Sequence, residues 1–81
     1  MFIIVKRFDK NDESQMELIG KYKTLEEAKE AMVNAVNQYM EPLAYKIDFL
    51  LDTWSADGMN CEVSMENGED VANTHWGILE V

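Results

Sequence analysis

The residues that could carry out chemistry are few. The chain has one cysteine, Cys61, and one histidine, His75. A thiolate–imidazole pair would need the fold to set these two side by side, and no acid neighbours His75 in sequence to orient its ring. Both fall in stretches that read as strands, so they could meet across paired strands, and whether they point the same way is left open. A lone cysteine is more often a small buried hydrophobe than a nucleophile. It also forms no intramolecular disulfide, zinc knuckle or CxxC redox pair. The expectation is therefore no catalytic residue, no enzyme and a reducing compartment.

Metal and phosphate chemistry fare no better. Asp9, Asn11, Glu13 and Glu17 fall at the first, third, fifth and ninth places of a calcium loop. Ser14, however, stands where such a loop turns on Gly, and Gly20 where it needs a bidentate Glu. The flanking residues read as strands rather than helices, so this segment and the acidic Glu66–Asp70 segment are both expected to be turns. No Gly-rich phosphate loop is present. Neither metal nor cofactor is expected.

Charge is the most informative feature. Residues 1–23 carry Lys6, Arg7, Lys10, Lys21 and Lys23 against Asp9, Asp12, Glu13 and Glu17, a balance of +1. Residues 24–81 carry twelve carboxylates against only Lys29 and Lys46, a balance of −10. Such a field repels nucleic acid and anionic membrane and attracts basic surfaces, including the grooves in which other proteins hold DNA or RNA. The plain alternative is an acidic protein whose charge serves solubility alone.

The elements that must position these groups can be read from periodicity. The 81 residues fit one domain that buries about 60–65% of its unfolded surface, leaving room for one core and no second lobe. A ligand pocket would be carved from that core or shared between subunits. The longest apolar run, Phe2-Ile3-Ile4-Val5, is far short of the roughly 20 residues that span a bilayer, and no signal peptide follows Met1, so a cytoplasmic protein is expected. Phe2 to Phe8, a polar turn at Asp9–Ser14, and the alternation of Met16, Leu18 and Tyr22 predict a β-hairpin, with Gly20 marking a bulge or a close approach. Thr24-Leu25-Glu26-Glu27 is a capping box that starts a helix. Its apolar stripe is Leu25, Ala28, Met32, Ala35, Val36, Tyr39 and Met40, opposite Glu26, Glu30, Asn34, Asn37 and Glu41, and Pro42 closes it.

Residues 43–54 fit two patterns. Leu43, Ile47, Leu50, Leu51 and Trp54 make a helical face, whereas Tyr45, Ile47, Phe49 and Leu51 alternate as a strand would. A second helix is favoured, because Pro42 suits a first helical turn and the helical period accounts for Leu50 and Trp54. On the strand reading, Asp57-Gly58 becomes a hairpin turn. Met59–Met65 reads as a half-buried strand, Asn67-Gly68 as a turn, Val71–Thr74 as irregular and His75–Val81 as a closing strand. The fold class expected is α+β: an antiparallel sheet of about four strands with one or two helices on one face, in the order ββα(α)ββ.

The residues Asn67-Gly68, Asn73, Trp76, Ile78 and Glu80-Val81, following the Glu26-Glu27-Ala28 helix start, resemble the tail of a loose group of small proteins from Firmicutes and their mobile elements. That group closes on an Asn-x-Asp-Trp-x-Ile-x-Glu-Val strand after an "EEA" helix. This chain departs from it by having His75 where the group has Asp. The resemblance spans about half the chain, implies the same order of elements and implies no activity.

These readings lead to a non-enzymatic acidic binding protein, of the kind phages and mobile elements use as anti-defence, anti-CRISPR-like inhibitors. It would block a basic nucleic-acid-binding surface on a partner protein by charge mimicry, since carboxylates three or four apart on a helix lie about 5–6 Å apart and imitate a row of phosphates. The candidate contacts are Glu26, Glu30, Glu41, Asp48, Asp52, Glu66, Glu69 and Asp70, with Tyr45 and Phe49 as apolar contacts. The hairpin's lysines lie among nearly as many acids, so direct nucleic-acid binding is not expected, nor is membrane binding. The rival reading is a small homodimer, structural or holding a small ligand near Trp54, Trp76 and Tyr22.

Overall fold

A computed structural model describes residues 1–10, 13–68 and 70–81, with the side chains of all of these but Asp70. The element order is β1 (Phe2–Lys10), β2 (Glu13–Tyr22), α1 (Leu25–Met40), β3 (Phe49–Trp54), β4 (Asn60–Asn67) and β5 (Asp70–Glu80). All strand pairs are antiparallel, and the five strands lie in the order β2-β1-β5-β4-β3. The fold is thus α+β, as expected, with five strands and one helix among the described residues rather than about four strands and one or two helices.

The first hairpin forms where the β-branched and aromatic run predicts it. Its bulge is real: Ile4 faces Gly20 and Val5 faces Leu18, so Ile19 is the extra residue. Gly20 also meets the close approach expected of it, since a Cβ there would stand 2.6 Å from the Tyr22 hydroxyl. Asp9 and Lys10 end β1 and Glu13 and Ser14 begin β2, while residues 11 and 12 of the expected Asp9–Ser14 turn lie outside the described residues.

Helix α1 begins at the predicted cap. Thr24 is extended (φ −121°, ψ 154°), and its Oγ1 accepts the Glu27 N–H at 3.1 Å, satisfying one of the amides a helix start leaves open. Ala28, Met32 and Val36 of the predicted stripe are fully buried, and Glu26, Glu30, Asn34, Asn37 and Glu41 are exposed. The helix packs chiefly across β1, β2 and β5. Together with Ile4, Cys61, Val63, Trp76 and Ile78 it encloses the core on one side of the sheet.

Two expectations are corrected. Residues 43–54 are not a second helix. After Pro42 the chain makes turns closed by Leu43 N–H and Ala44 N–H to the Met40 carbonyl, both at 3.0 Å, and then becomes β3. Leu50 and Trp54 are half-buried on the helix side of the sheet, while Phe49 and Leu51 face the other way. The sequence satisfied both periods. Pairing of all six residues of β3 with β4 decides between them, because the strand then shares a backbone ladder and buries one row of side chains. Asp57-Gly58 forms the hairpin turn that goes with this reading, with Gly58 at φ +72°.

Val71–Thr74 is likewise not irregular. It is the first half of β5, the central strand, paired with β1 on one side and β4 on the other. The inward residues there are Ala72 and Thr74, too small or too polar to stand out as an apolar row, yet both are buried. Thr74 is tolerated because its hydroxyl pairs with the Tyr39 hydroxyl at 2.9 Å. The Tyr39 ring in turn stands edge-on to Trp76, centroids 5.1 Å apart at 72°.

Candidate functional site

The strand registers settle the geometry of the one cysteine and the one histidine. Cys61 faces Trp76 and is buried beneath α1, whereas Glu62 faces His75 on the neighbouring positions of the same strands. Since successive residues of a strand point to opposite faces, the thiol and the imidazole sit on adjacent strands but on opposite sides of the sheet. Burial, reinforced by the Asp52 carboxylate, pushes the Cys61 thiol up to about 11. This is a protonated core side chain at neutral pH.

The nominated carboxylates do not gather at one point. Glu26 and Glu30 lie one turn apart on the outer face of α1, Glu41 follows its last turn, Asp48 and Asp52 belong to the β3 edge of the sheet, and Glu66 lies on the face away from the helix. All six are exposed. Glu69 and the side chain of Asp70 lie outside the described residues. Asp52 accepts the Trp54 Nε1–H at 2.9 Å, and the remaining five bond to no side chain among the described residues. Among the described residues the only ion pair is Arg7–Asp9 at 3.1 Å, so these carboxylates present uncompensated charge to solvent.

Of the two nominated apolar residues, Tyr45 is 92% exposed in the turn segment before β3 and Phe49 is 47% exposed on the helix-free face. They are exposed for different reasons and are not neighbours in one helical surface, because the helix expected to carry them is absent. Of the rival reading's residues, Trp76 is fully buried, and Tyr22 and Trp54 are half-buried against the same core.

Sequence reasoning missed how the sheet sorts charge. Positions opposite one another in the ladders share a face, so Arg7, Asp9, Lys21, Glu62 and Glu66 fall on the side away from α1. Among the described side chains two cations there stand against three carboxylates, whereas the helix side and the loops carry ten carboxylates against five cations. The first hairpin's basic residues are split in the same way. Lys6 points to the helix side, its Nζ 4.6 Å from the Tyr39 ring centroid and 5.7 Å from that of Trp76, a cation–π arrangement rather than part of a phosphate-binding patch. The alternation of Lys6 and Arg7 in β1 was the available signal, but it has meaning only once the strand's inner face is known.

Asp57 was also passed over. Its carboxylate accepts the Ser55 hydroxyl at 2.6 Å and the Met59 N–H at 3.0 Å, while Ser55 Oγ accepts the Asn60 N–H at 3.0 Å. The Ser55 hydroxyl, followed by the Met59 amide, holds the Asp57 carboxyl below its ordinary range. The network shapes the β3–β4 turn, and the carboxylate adds another negative charge beside the first half of α1, where Lys29 lies near Gly58.

A cleft of about 190 Å³ lies between the segment after α1 and the sheet, lined by Phe8, Leu43, Ile47, Met65 and Ala72 with Lys10 and Asn67 at its polar edge. Ligand pockets are commonly about 300–1,000 Å³, so this one suits the end of a side chain better than a cofactor. Among the described residues no three of His, Cys, Asp and Glu converge on a metal position, and no helix is long and apolar enough to cross a membrane. No family model, curated protein or solved structure matches the chain.

Proposed function

We propose that this chain is a non-catalytic binding protein that docks its acidic helix side onto a basic surface of a partner protein. The observation that carries the reading is the segregation of charge: among the described residues the helix side and loops hold ten carboxylates against five cations, and no ion pair neutralises the carboxylates there. Glu26 and Glu30 on α1, with Asp48 and Asp52 along the β3 edge, are the contacts best placed to meet a groove built for phosphates. The fate of Cys61 and His75 fits a binding role, since neither is available to the other as nucleophile and base. A basic nucleic-acid-binding groove is the partner chemistry this surface suits best. An inhibitor carried by a phage or mobile element is the narrower form of the same reading, in keeping with the resemblance of the closing strand.

The test compares the wild type with a Glu26→Lys/Glu30→Lys/Asp48→Lys variant in capture from host lysate across a salt series. The expected result is a retained nucleic-acid-binding protein that is lost both at high salt and with the variant, and that no longer binds DNA or RNA when the wild type is present. Retention indifferent to charge reversal would sink the mimicry.

A further inference from the structure

The side of the sheet away from α1 carries apolar side chains at two opposite corners, with a polar band of Arg7, His75, Glu62, Asp9, Asn73 and Ser64 between them. Six of the ten exposed large apolar side chains, Met16, Leu18, Phe49, Leu51, Val71 and Leu79, project from it. Half-buried Ile3 and Val5 lie between Leu18 and Leu79 in the same ladders. An antiparallel sheet open to water normally shows polar residues on its outer face, and apolar groups clustered at Met16, Leu18 and Leu79 and again at Phe49, Leu51 and Val71 mark an interaction surface. Over Gly77, where a side chain is missing, a hollow of about 160 Å³ is bordered by Leu79, Met16 and Val5 and by the polar Arg7, His75 and Asn60.

We propose that this face binds a second copy of the chain, sheet against sheet, about a two-fold axis that runs along β5. Area and charge argue for this occupant. Five strands about 4.8 Å apart and about nine residues long present a face of roughly 700 Å², close to the roughly 800 Å² per partner of a stable interface. Two copies of a −9 protein repel each other, but this is the face on which, among the described residues, the imbalance falls to two cations against three carboxylates. The charges are also arranged to complement themselves. Arg7, His75 and Glu62 form one row across β1, β5 and β4. Rotation about an axis along the central strand lays β1 of one copy over β4 of the other, so Arg7 meets Glu62 of the second copy twice, and Leu79 meets Leu79. An axis across the strands through that row would instead set Arg7 against Arg7 and Glu62 against Glu62. The acidic helix sides then face outward, in opposite directions, and the dimer offers two equivalent acidic surfaces. The dimer does not rest on the identity of the partner proposed above.

Sedimentation equilibrium on the full chain over a wide concentration range tests this. The wild type is expected to approach twice the 9.4 kDa chain mass. Leu79→Arg, and separately Met16→Glu, are expected to weaken association at least tenfold with unchanged circular dichroism, both positions being more than half exposed. Arg7→Glu and Glu62→Arg are each expected to weaken it, and the double variant to restore it, which a different axis would not produce. A wild type that stays monomeric into the millimolar range overturns the proposal. So does a dimer indifferent to both Leu79→Arg and Met16→Glu, which would place the contact elsewhere, for example along the β3 edge.

Discussion

At the scale of single residues, the two groups most open to a catalytic reading turn out to be assigned by strand parity. Cys61 is an inner-face residue of β4 and His75 an outer-face residue of β5. Their separation needs no distance to establish it, only the pleat. The thiol, raised from 9.0 to about 11, is protonated in the native state and ionises more readily once the chain unfolds. The unfolded form therefore binds fewer protons between those two values, and stability present below pH 9 is lost as the pH rises toward 11. Denaturant titrations across that window are expected to show a steeper decline for the wild type than for Cys61→Ala, in which this contribution is absent. At neutral pH a thiol reagent is expected to leave the folded protein unmodified and to react on addition of denaturant. Rapid labelling of the native protein would contradict the burial.

At the scale of elements, local chemistry decides boundaries and long-range pairing decides identity. Helix α1 was legible because cap, stripe and stop all lie within its own eighteen or so residues, a run of about five turns. Thr24→Ala removes the hydroxyl that accepts the Glu27 N–H and is expected to cost about 1 kcal/mol, lowering the melting temperature by roughly 4–8 °C in a domain of this size. Thr24→Asp should retain most of that stability, because a carboxylate also accepts the amide and suits the helix start. By contrast, β3 was not legible. Its residues Phe49–Trp54 have one row of side chains on each face, and both Leu50–Trp54 and Phe49–Leu51 spacings look purposeful. The turn that follows is more local, and there Gly58 holds φ +72°. Gly58→Ala is expected to destabilise the hairpin by about 1 kcal/mol, with hydrogen exchange accelerating in β3 and β4 before the rest of the sheet.

At the scale of the whole molecule, charge and topology together create two unlike sides. Because the carboxylates on the helix side and in the loops are exposed and share few cations, they repel one another in the folded state more than in an expanded chain. Adding monovalent salt at neutral pH is thus expected to raise the melting temperature, measured by differential scanning calorimetry at fixed protein concentration. A melting temperature that falls with salt would mean that attractive pairs, not repulsion, dominate. The same screening should weaken capture of a basic partner, so stability and partner binding are expected to respond to salt with opposite sign.

The sequence by itself determined the fold class, the first hairpin with an irregularity at or beside Gly20, the whole of α1 and the location of the charge along the chain. Each depends on neighbours a few residues apart: a turn, a cap, a 3.6-residue stripe or a run of acids. Only the tertiary structure decided that residues 49–54 are a strand, that Val71–Thr74 opens the central strand, and that Cys61 and His75 never meet. It also decided where the acidic surface lies. Adjacent strand residues such as Lys6 and Arg7, or Cys61 and Glu62, go to opposite faces, and which face is inside is fixed by the helix that packs on it. A charge sequence read along the chain becomes a charged surface only when that choice is made.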